Sequence, residues 1–168
     1  MSTDQETSMK AEPQTQHRWL QQLLGDWTSE AEMAMGPDKP PTKCTGTESV
    51  RPLGDLWVLC EGRGEMPGGG MANMLMTLGY DPQKKAFIGS WVGSMMTHMW
   101  VYHGALDEAK KVLTLDTEGP SFTGDGKLAR YRDTITIKSK DERVLTSHVL
   151  QDDGSWKGFM TATYRRVK

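Results

Sequence analysis

Methionine and tryptophan are the side chains in this sequence with the clearest chemical potential, since its 168 residues include 12 Met and 6 Trp. Flexible, polarisable thioethers line adaptable sites for apolar molecules well, and indoles add flat apolar surface. Within predicted strands, alternate side chains share one face. We predict that Met76, Trp91, Trp100 and Met160 line a binding site for a small apolar molecule. Filling of an irregular core by the same side chains is an equally good interpretation.

The four histidines do not have the spacing of a metal site. His98 and His103 are five residues apart in one predicted strand, so their side chains should face opposite sides. His17 lies in a predicted helix and His148 in another predicted strand. No HExxH, HxH or Cys–His spacing occurs. We therefore predict no metal site.

Signatures of catalysis are equally absent. No Gly-x-Ser-x-Gly elbow occurs, and Gly68-Gly69-Gly70 lacks the Lys-Ser/Thr pair of a phosphate-binding loop. Asp133 alternates with Arg130 and Arg132, so its carboxyl group should face away from both guanidinium groups. We assign no catalytic residue, and the sequence favours a protein that is not an enzyme.

Composition limits the classes of partner. Lys and Arg total 20 against 22 Asp and Glu, a net charge of −2, which lacks the basic excess of nucleic-acid binders. No apolar run approaches the roughly 18 residues of a membrane span. The segment Met1–Glu6 lacks the basic and apolar regions of a signal peptide. We expect a cytoplasmic protein without a membrane span or a nucleic-acid partner.

The cysteine content is consistent with a cytoplasmic protein. Cys44 and Cys60 lie in consecutive predicted strands, and the turn Arg51–Asp55 between them would make the two residues diagonal neighbours. Disulfides are rare in the reducing cytosol. We predict two free thiols.

One segment has helical periodicity. Trp19, Leu20, Leu23 and Leu24 share a face, and Gly25 is placed to end the helix. The polar residues 1–13 are predicted to form a disordered tail, which leaves 14–168 as a single domain.

The rest of the chain alternates short apolar runs with turn signals, which indicates about ten strands. They are predicted at 26–35, 43–51, 56–65, 72–80, 86–93, 98–105, 111–118, 128–138, 143–151 and 155–166. An open sheet of these strands would expose two edges, which closure removes. We predict an all-β fold, a closed antiparallel up-and-down barrel with a short N-terminal helix. The sequence does not show which face of strands 98–105 and 143–151 points inward, because both strands carry apolar residues on both faces.

Several short motifs, in this order, resemble a bacterial calycin-like, or lipocalin-like, family, the domain of unknown function fifteen-seventy-nine family. They are Leu24-Gly25-Asp26-Trp27, Leu53-Gly54-Asp55-Leu56-Trp57, Leu78-Gly79-Tyr80-Asp81-Pro82, Phe87-Ile88-Gly89-Ser90-Trp91-Val92, Asp153-Gly154 and Tyr164-Arg165-Arg166. The resemblance runs from about Trp19 to Arg166. It implies a calycin barrel and little about chemistry, because fold does not fix function.

The resemblance also implies a structural latch. In barrels of this kind an Arg of the last strand lies over the Trp of the Gly-x-Trp motif, which points to Trp27 and Arg166, with Tyr164 on the same face as Arg166. Two other interpretations stand: ordinary core and terminal charge, or a Tyr164–Arg166 clamp for a ligand carboxylate. Related nitrobindin-like barrels bind haem through a His near the end of the barrel, and the comparable residue here is His148, on the penultimate predicted strand.

Two hypotheses of function follow. In the first, the barrel carries or senses a small apolar molecule held in its lumen. In the second, the barrel is filled and an outer sheet face pairs two copies into a homodimer. Haem binding through His148 is a weaker third.

Overall fold

The computed structural model describes residues 10–167, and within them the chain forms a closed antiparallel barrel of ten strands. Chain neighbours are also sheet neighbours, and β1 closes the barrel by pairing with β10. The strands are β1 (Gly25–Met33), β2 (Thr42–Leu53), β3 (Trp57–Glu65), β4 (Met71–Asp81), β5 (Ala86–Gly93), β6 (Trp100–Leu106), β7 (Val112–Pro120), β8 (Leu128–Ser139), β9 (Glu142–Leu150) and β10 (Trp156–Arg166). The predicted fold class is confirmed. Of the predicted tail, residues 1–9 lie outside the described residues, and 10–13 have no regular secondary structure.

A short helix covers one end of the barrel, which we call the base; the opposite end is the mouth. Helix α1 (Thr15–Leu20) continues into a 3₁₀ turn (Gln21–Leu23), and Leu20 and Leu23 are buried. Buried His17 accepts a hydrogen bond from the Gln14 backbone N–H at Nδ1 (2.9 Å), so Nε2 donates to the Tyr80 carbonyl oxygen (2.9 Å). This histidine therefore ties the helix to β4.

The register of β6 and β9 resolves the two inward faces that the sequence leaves open. Tyr102 and Gly104 are the buried residues of β6, and Arg143 and Ser147 those of β9. Strand alternation then directs these four positions into the barrel and their neighbours outwards.

The predicted strand 98–105 begins two residues late, at Trp100. His98 lies in the preceding loop, where its Nε2 contacts the Glu118 carbonyl oxygen (3.0 Å). The prediction that His98 and His103 share a strand is therefore wrong. His103 lies on the outer face of β6, between the inward-facing residues Tyr102 and Gly104.

The two cysteines are buried and free, but they are not neighbours. Cys60 pairs with Val50, which follows Cys44 by six residues along β2. At about 3.3 Å per residue the two cysteines are roughly 20 Å apart. The predicted diagonal pairing is wrong because β2 continues to Leu53, which pairs with Trp57 and moves the turn toward the C-terminus.

Candidate functional site

The inward-facing side chains differ in burial along the barrel, most clearly between six residues nearer the base and several residues nearer the mouth. Near the base, inward-facing aliphatic and aromatic side chains are completely buried: Val58, Leu78, Phe87, Leu113, Leu115 and Ile135 are exposed by 2% or less. Branched side chains from neighbouring strands fill the cross-section there, which leaves no room for a ligand.

The four predicted lining residues all lie on inward faces toward the mouth. Met76 pairs with Trp91, and Trp91 pairs with Trp100 across β5 and β6. Met160 pairs with Ser147 and shares its face of β10 with the buried Ala162. Met76 is nearly buried, whereas the other three are partly exposed. Trp91, Trp100 and Met160 therefore keep exposed surface although they lie on the inward faces of their strands.

Glycines shape the wall of the barrel toward the mouth. A Cβ added at Gly62 would meet only ordinary contacts, the nearest being Met74 Cε at 3.5 Å. There is therefore room for a side chain on the inward face at this position. Gly119 has no room for a Cβ, because the ring of Trp100 lies against it. The glycines therefore widen the lumen on one side and let an indole lie flat against the wall on the other.

An aromatic cluster that the sequence analysis missed continues from Trp100 around the mouth. The rings of Trp100 and Tyr131 meet edge-on at 5.0 Å, and Phe122 contacts both Tyr131 (5.4 Å) and Phe159 (4.9 Å). The Tyr131 hydroxyl donates to the Pro120 carbonyl oxygen (2.5 Å). Phe122 belongs to the loop between β7 and β8, where strand periodicity gives no signal, which explains why it was missed.

Exposed apolar side chains collect at the mouth. Most of the large hydrophobic residues with high exposure lie in the loops and strand ends there: Met35, Met71, Met95, Met96, Met99, Phe122 and Leu128. Single exposed apolar residues are normal on a protein surface, but a group of them marks an interaction or binding region. We call these seven residues the apolar rim.

Between the two halves, Asp133 is the centre of a polar group in the lumen. Its Oδ2 accepts a hydrogen bond from the Tyr102 hydroxyl (2.6 Å), and the Ser147 hydroxyl also hydrogen-bonds to its carboxyl group. Burial raises the pKa of the Asp133 carboxyl group, and the two hydrogen bonds oppose that rise. Burial together with the neighbouring Asp133 charge holds the Tyr102 pKa well above its usual value.

A buried ion pair lies beside this group. The Arg143 guanidinium group is hydrogen-bonded to Glu48 and lies over the rings of Trp27 (4.7 Å) and Tyr164 (4.1 Å). The side chains of Arg143 and Glu48 are only 5% and 13% exposed. Burial raises the pKa of the Tyr164 hydroxyl, and the Glu48 charge adds to that rise. No sequence signal selected Arg143, because the inward face of its strand was unknown.

Two of the three proposed latch residues, Trp27 and Arg166, meet at the base. The Arg166 guanidinium group lies 4.2 Å from the Trp27 ring centre and donates to the carbonyl oxygens of Gln22 (2.9 Å) and Leu24. Trp27 Nε1 donates to the Leu23 carbonyl oxygen (2.9 Å). Tyr164 contacts Arg143, as described above, so the structure places two guanidinium groups on Trp27 where the sequence predicted one.

The structure does not bring His148 into the lumen. It pairs with Arg132 and Gly158 on the outer face, between the inward-facing Ser147 and Val149. Within residues 10–167, no three His, Cys, Asp or Glu side chains are grouped closely enough to hold a metal ion.

A family model matches the chain over residues 12–166, and its description is "Protein of unknown function (DUF1579)". The chain belongs to this family. The DUF1579 protein has no significant sequence match among curated proteins. Neither helical segment of residues 10–167 is a candidate for crossing a membrane.

Two solved structures share the fold of this DUF1579 protein at low sequence identity. The Rv2717c protein of M. tuberculosis is 12% identical, with a TM-score of 0.61 over 94% of this chain and 100% of that one. The S-type phycobiliprotein lyase CPES from Guillardia theta is also 12% identical, with a TM-score of 0.60 over 93% and 99% of the two chains. At this identity the likeness concerns the fold alone.

Proposed function

We propose that this DUF1579 protein binds a small, largely apolar molecule in the mouth half of its lumen. One observation carries the proposal: inward-facing Trp91, Trp100 and Met160 keep exposed surface, while the inward-facing residues packed nearer the base keep almost none. The latter are Val58, Leu78, Phe87, Leu113, Leu115 and Ile135. In a closed barrel the exposed surface of an inward side chain borders the lumen or its opening. Barrels of this size commonly enclose a ligand cavity.

The apolar rim supports entry of such a ligand from the mouth. A molecule that reaches the rim exchanges water for thioether and aromatic surface before it enters the lumen. Thioethers adapt their shape at little cost, which favours loose selectivity for the ligand body.

The expected affinity is modest. Burial of roughly 300 Å² of apolar ligand surface contributes about 8 kcal/mol in gross terms at 25 cal/mol per Å². The loss of translational and rotational freedom must be subtracted from that figure. A dissociation constant in the micromolar range or weaker is therefore expected.

Titration with Nile red, an uncharged environment-sensitive dye, tests the proposal. We expect saturable binding that is weakened at least tenfold by Trp91→Ala or Trp100→Ala. Trp156→Ala is the matched control: Trp156 lies on the outer face under Arg132 (4.3 Å) and should not change binding. A pocket of about 480 Å³ near Arg166 at the base is the competing location. Binding that survives both lumen substitutions would contradict the proposal.

A substitution that fills the lumen gives an independent test. Gly62→Leu adds a side chain where a Cβ meets only ordinary contacts, and Gly62 has no positive φ that would strain it. We expect reduced dye binding with the fold retained, as checked by circular dichroism. Arg63→Leu, on the outer face of the same strand, is the control.

Native mass spectrometry of the purified chain addresses the alternative hypothesis. Co-purified mass of lipid or aromatic size supports the carrier. A stoichiometric dimer without added mass supports a homodimeric module, which stays a prediction. The cytoplasmic location, the single domain at 14–168 and the latch role of Trp27, Tyr164 and Arg166 also stay predictions.

A further inference from the structure

We propose that the lumen selects ligands with an uncharged polar end that donates a hydrogen bond, such as a hydroxyl group, and that Asp133 receives it. This inference rests on the proposed function and adds the chemical class of the ligand. It is carried by the Tyr102–Asp133–Ser147 group, by one unpartnered hydroxyl group and by the pairing of the cations in the lumen.

Asp133 has both capacity and access. A carboxylate accepts about four hydrogen bonds, and Tyr102 and Ser147 account for two. Its partners are buried, at 4% and 5% exposure, yet Asp133 itself is only partly buried. Because β8 directs Asp133 inward, its remaining surface faces the lumen, where a ligand can reach it.

A hydroxyl group without a partner lies close by. Thr117 Oγ1 is buried and makes no hydrogen bond to the protein. Thr117 pairs with Tyr131, and the preceding inward residue of β7, Leu115, pairs with Asp133. Thr117 and Asp133 are thus diagonal neighbours with Cα atoms about 7–8 Å apart. A ligand hydroxyl group that donates to Asp133 can accept from Thr117 once the buried Thr117 hydroxyl rotates toward the lumen, which gives Thr117 the partner that it lacks.

The charged side chains in the lumen disfavour a ligand with an anionic end. Within residues 10–167, the inward-facing strand positions carry two cations, Arg143 and Arg166. Arg143 is paired with Glu48 through Nη2 and enclosed by aromatic rings, while its buried Nε–H group has no hydrogen-bond partner. Arg166 donates to backbone carbonyl oxygens of the base. A ligand carboxylate would therefore lie beside Asp133 with no free cation to pair with, a costly arrangement inside a protein.

The proposed class of ligand is tested by the displacement of Nile red with three ligands of similar shape. Naphthalene has no polar end, 2-naphthol has a hydroxyl group, and 2-naphthoate has a carboxylate. We expect 2-naphthol to bind about tenfold more tightly than naphthalene, as one good hydrogen bond provides. We expect 2-naphthoate to bind at least tenfold more weakly than 2-naphthol. Equal binding of all three, or tightest binding of 2-naphthoate, would overturn the inference.

Two substitutions assign the effect to residues. Asp133→Asn should reduce the preference for 2-naphthol and the discrimination against 2-naphthoate, whereas Asp116→Asn, on the outer face of the adjacent strand, should change neither. Thr117→Val removes the unpartnered hydroxyl group at nearly constant volume and remains informative if Asp133→Asn fails to fold. We expect it to weaken 2-naphthol several-fold and leave naphthalene unchanged. Preferences that both variants retain would refute the role of this group.

Failure of the proposed function has a different signature. If Nile red does not bind, or binds without sensitivity to Trp91→Ala and Trp100→Ala, the lumen is not the binding site and both proposals fall. If Nile red binds with that sensitivity but the three naphthalene ligands compete equally, lumen binding stands and the inference on the polar end is wrong.

Discussion

The base and mouth halves of the barrel are built from the same ten strands but differ in how their inward side chains pack. In the base half, Leu78, Leu113 and Leu115 are fully buried, and Trp27 is held by two guanidinium groups. In the mouth half, Trp91 and Trp100 keep exposed surface. The contrast predicts that substitutions near the base cost more stability than substitutions near the mouth.

The largest expected effect sharpens this contrast directly. Trp27→Ala removes a side chain that is 2% exposed and hydrogen-bonded, so we expect a loss of about 3–5 kcal/mol in the free energy of unfolding. Trp91→Ala in the mouth half should cost less than half as much, because its indole is already partly exposed. Urea denaturation of both variants checks the ratio. Equal losses would show that the two halves do not differ in stability.

The buried ion pair should rank next. Arg143→Met leaves Glu48 without its partner in a buried site, which costs about 3 kcal/mol. Adding Glu48→Gln to Arg143→Met should recover part of the lost stability, since the remaining side chain is uncharged. Arg51→Met breaks an outer ion pair with Glu61 whose side chains are 58% and 50% exposed, and should cost 1 kcal/mol or less. Similar losses at both sites would contradict the assigned burial.

The contact between Arg166 and Trp27 should give a smaller coupling energy. A double-mutant cycle of Trp27→Ala and Arg166→Ala should yield about 1 kcal/mol, typical of a cation over an indole. Since Arg143 also lies on Trp27, a second cycle with Arg143→Met should show coupling as well. Strict additivity in the first cycle would mean that Arg166 does not stabilise the base through Trp27.

The smallest effect concerns pH and the polar group between the halves. Folding raises the pKa of Asp133, so the folded chain holds this proton more tightly than the unfolded chain does. As the pH falls from 7 toward about 4, the wild type should therefore gain stability relative to Asp133→Asn. Asp107 is the control of opposite sign: backbone N–H groups of Val112 and Lys111 lower its pKa. Over the same pH range, the wild type should lose stability relative to Asp107→Asn. If the free energy of unfolding varied with pH in the same way for the wild type and both variants, the pKa shifts assigned to Asp133 and Asp107 would be refuted.

Local patterns in the sequence were sufficient to predict the barrel. Turn signals and period-two alternation predicted ten strands, and the helical stripe of Leu20 and Leu23 predicted the segment that covers the base. These features depend on residues close together in the chain, so their physical causes can be read locally. The inward orientation of Met76, Trp91, Trp100 and Met160 followed from the same alternation once the barrel was closed.

Register and the contacts across the lumen could not be obtained in this way. A turn centred about two residues later than predicted moved Cys44 away from Cys60, because such a shift displaces every cross-strand pair of the hairpin.

The sequence by itself determined the fold class and the inward-facing Met and Trp side chains, because both depend on side-chain types repeated along the strands. Only the tertiary structure decided that Asp133, from β8, meets Tyr102 from β6 and Ser147 from β9, and that Arg143 reaches Glu48. These residues are far apart in the chain, and their contacts exist only because the sheet closes with one register. The polar specificity proposed here therefore depends on closure, whereas the apolar wall depends on composition.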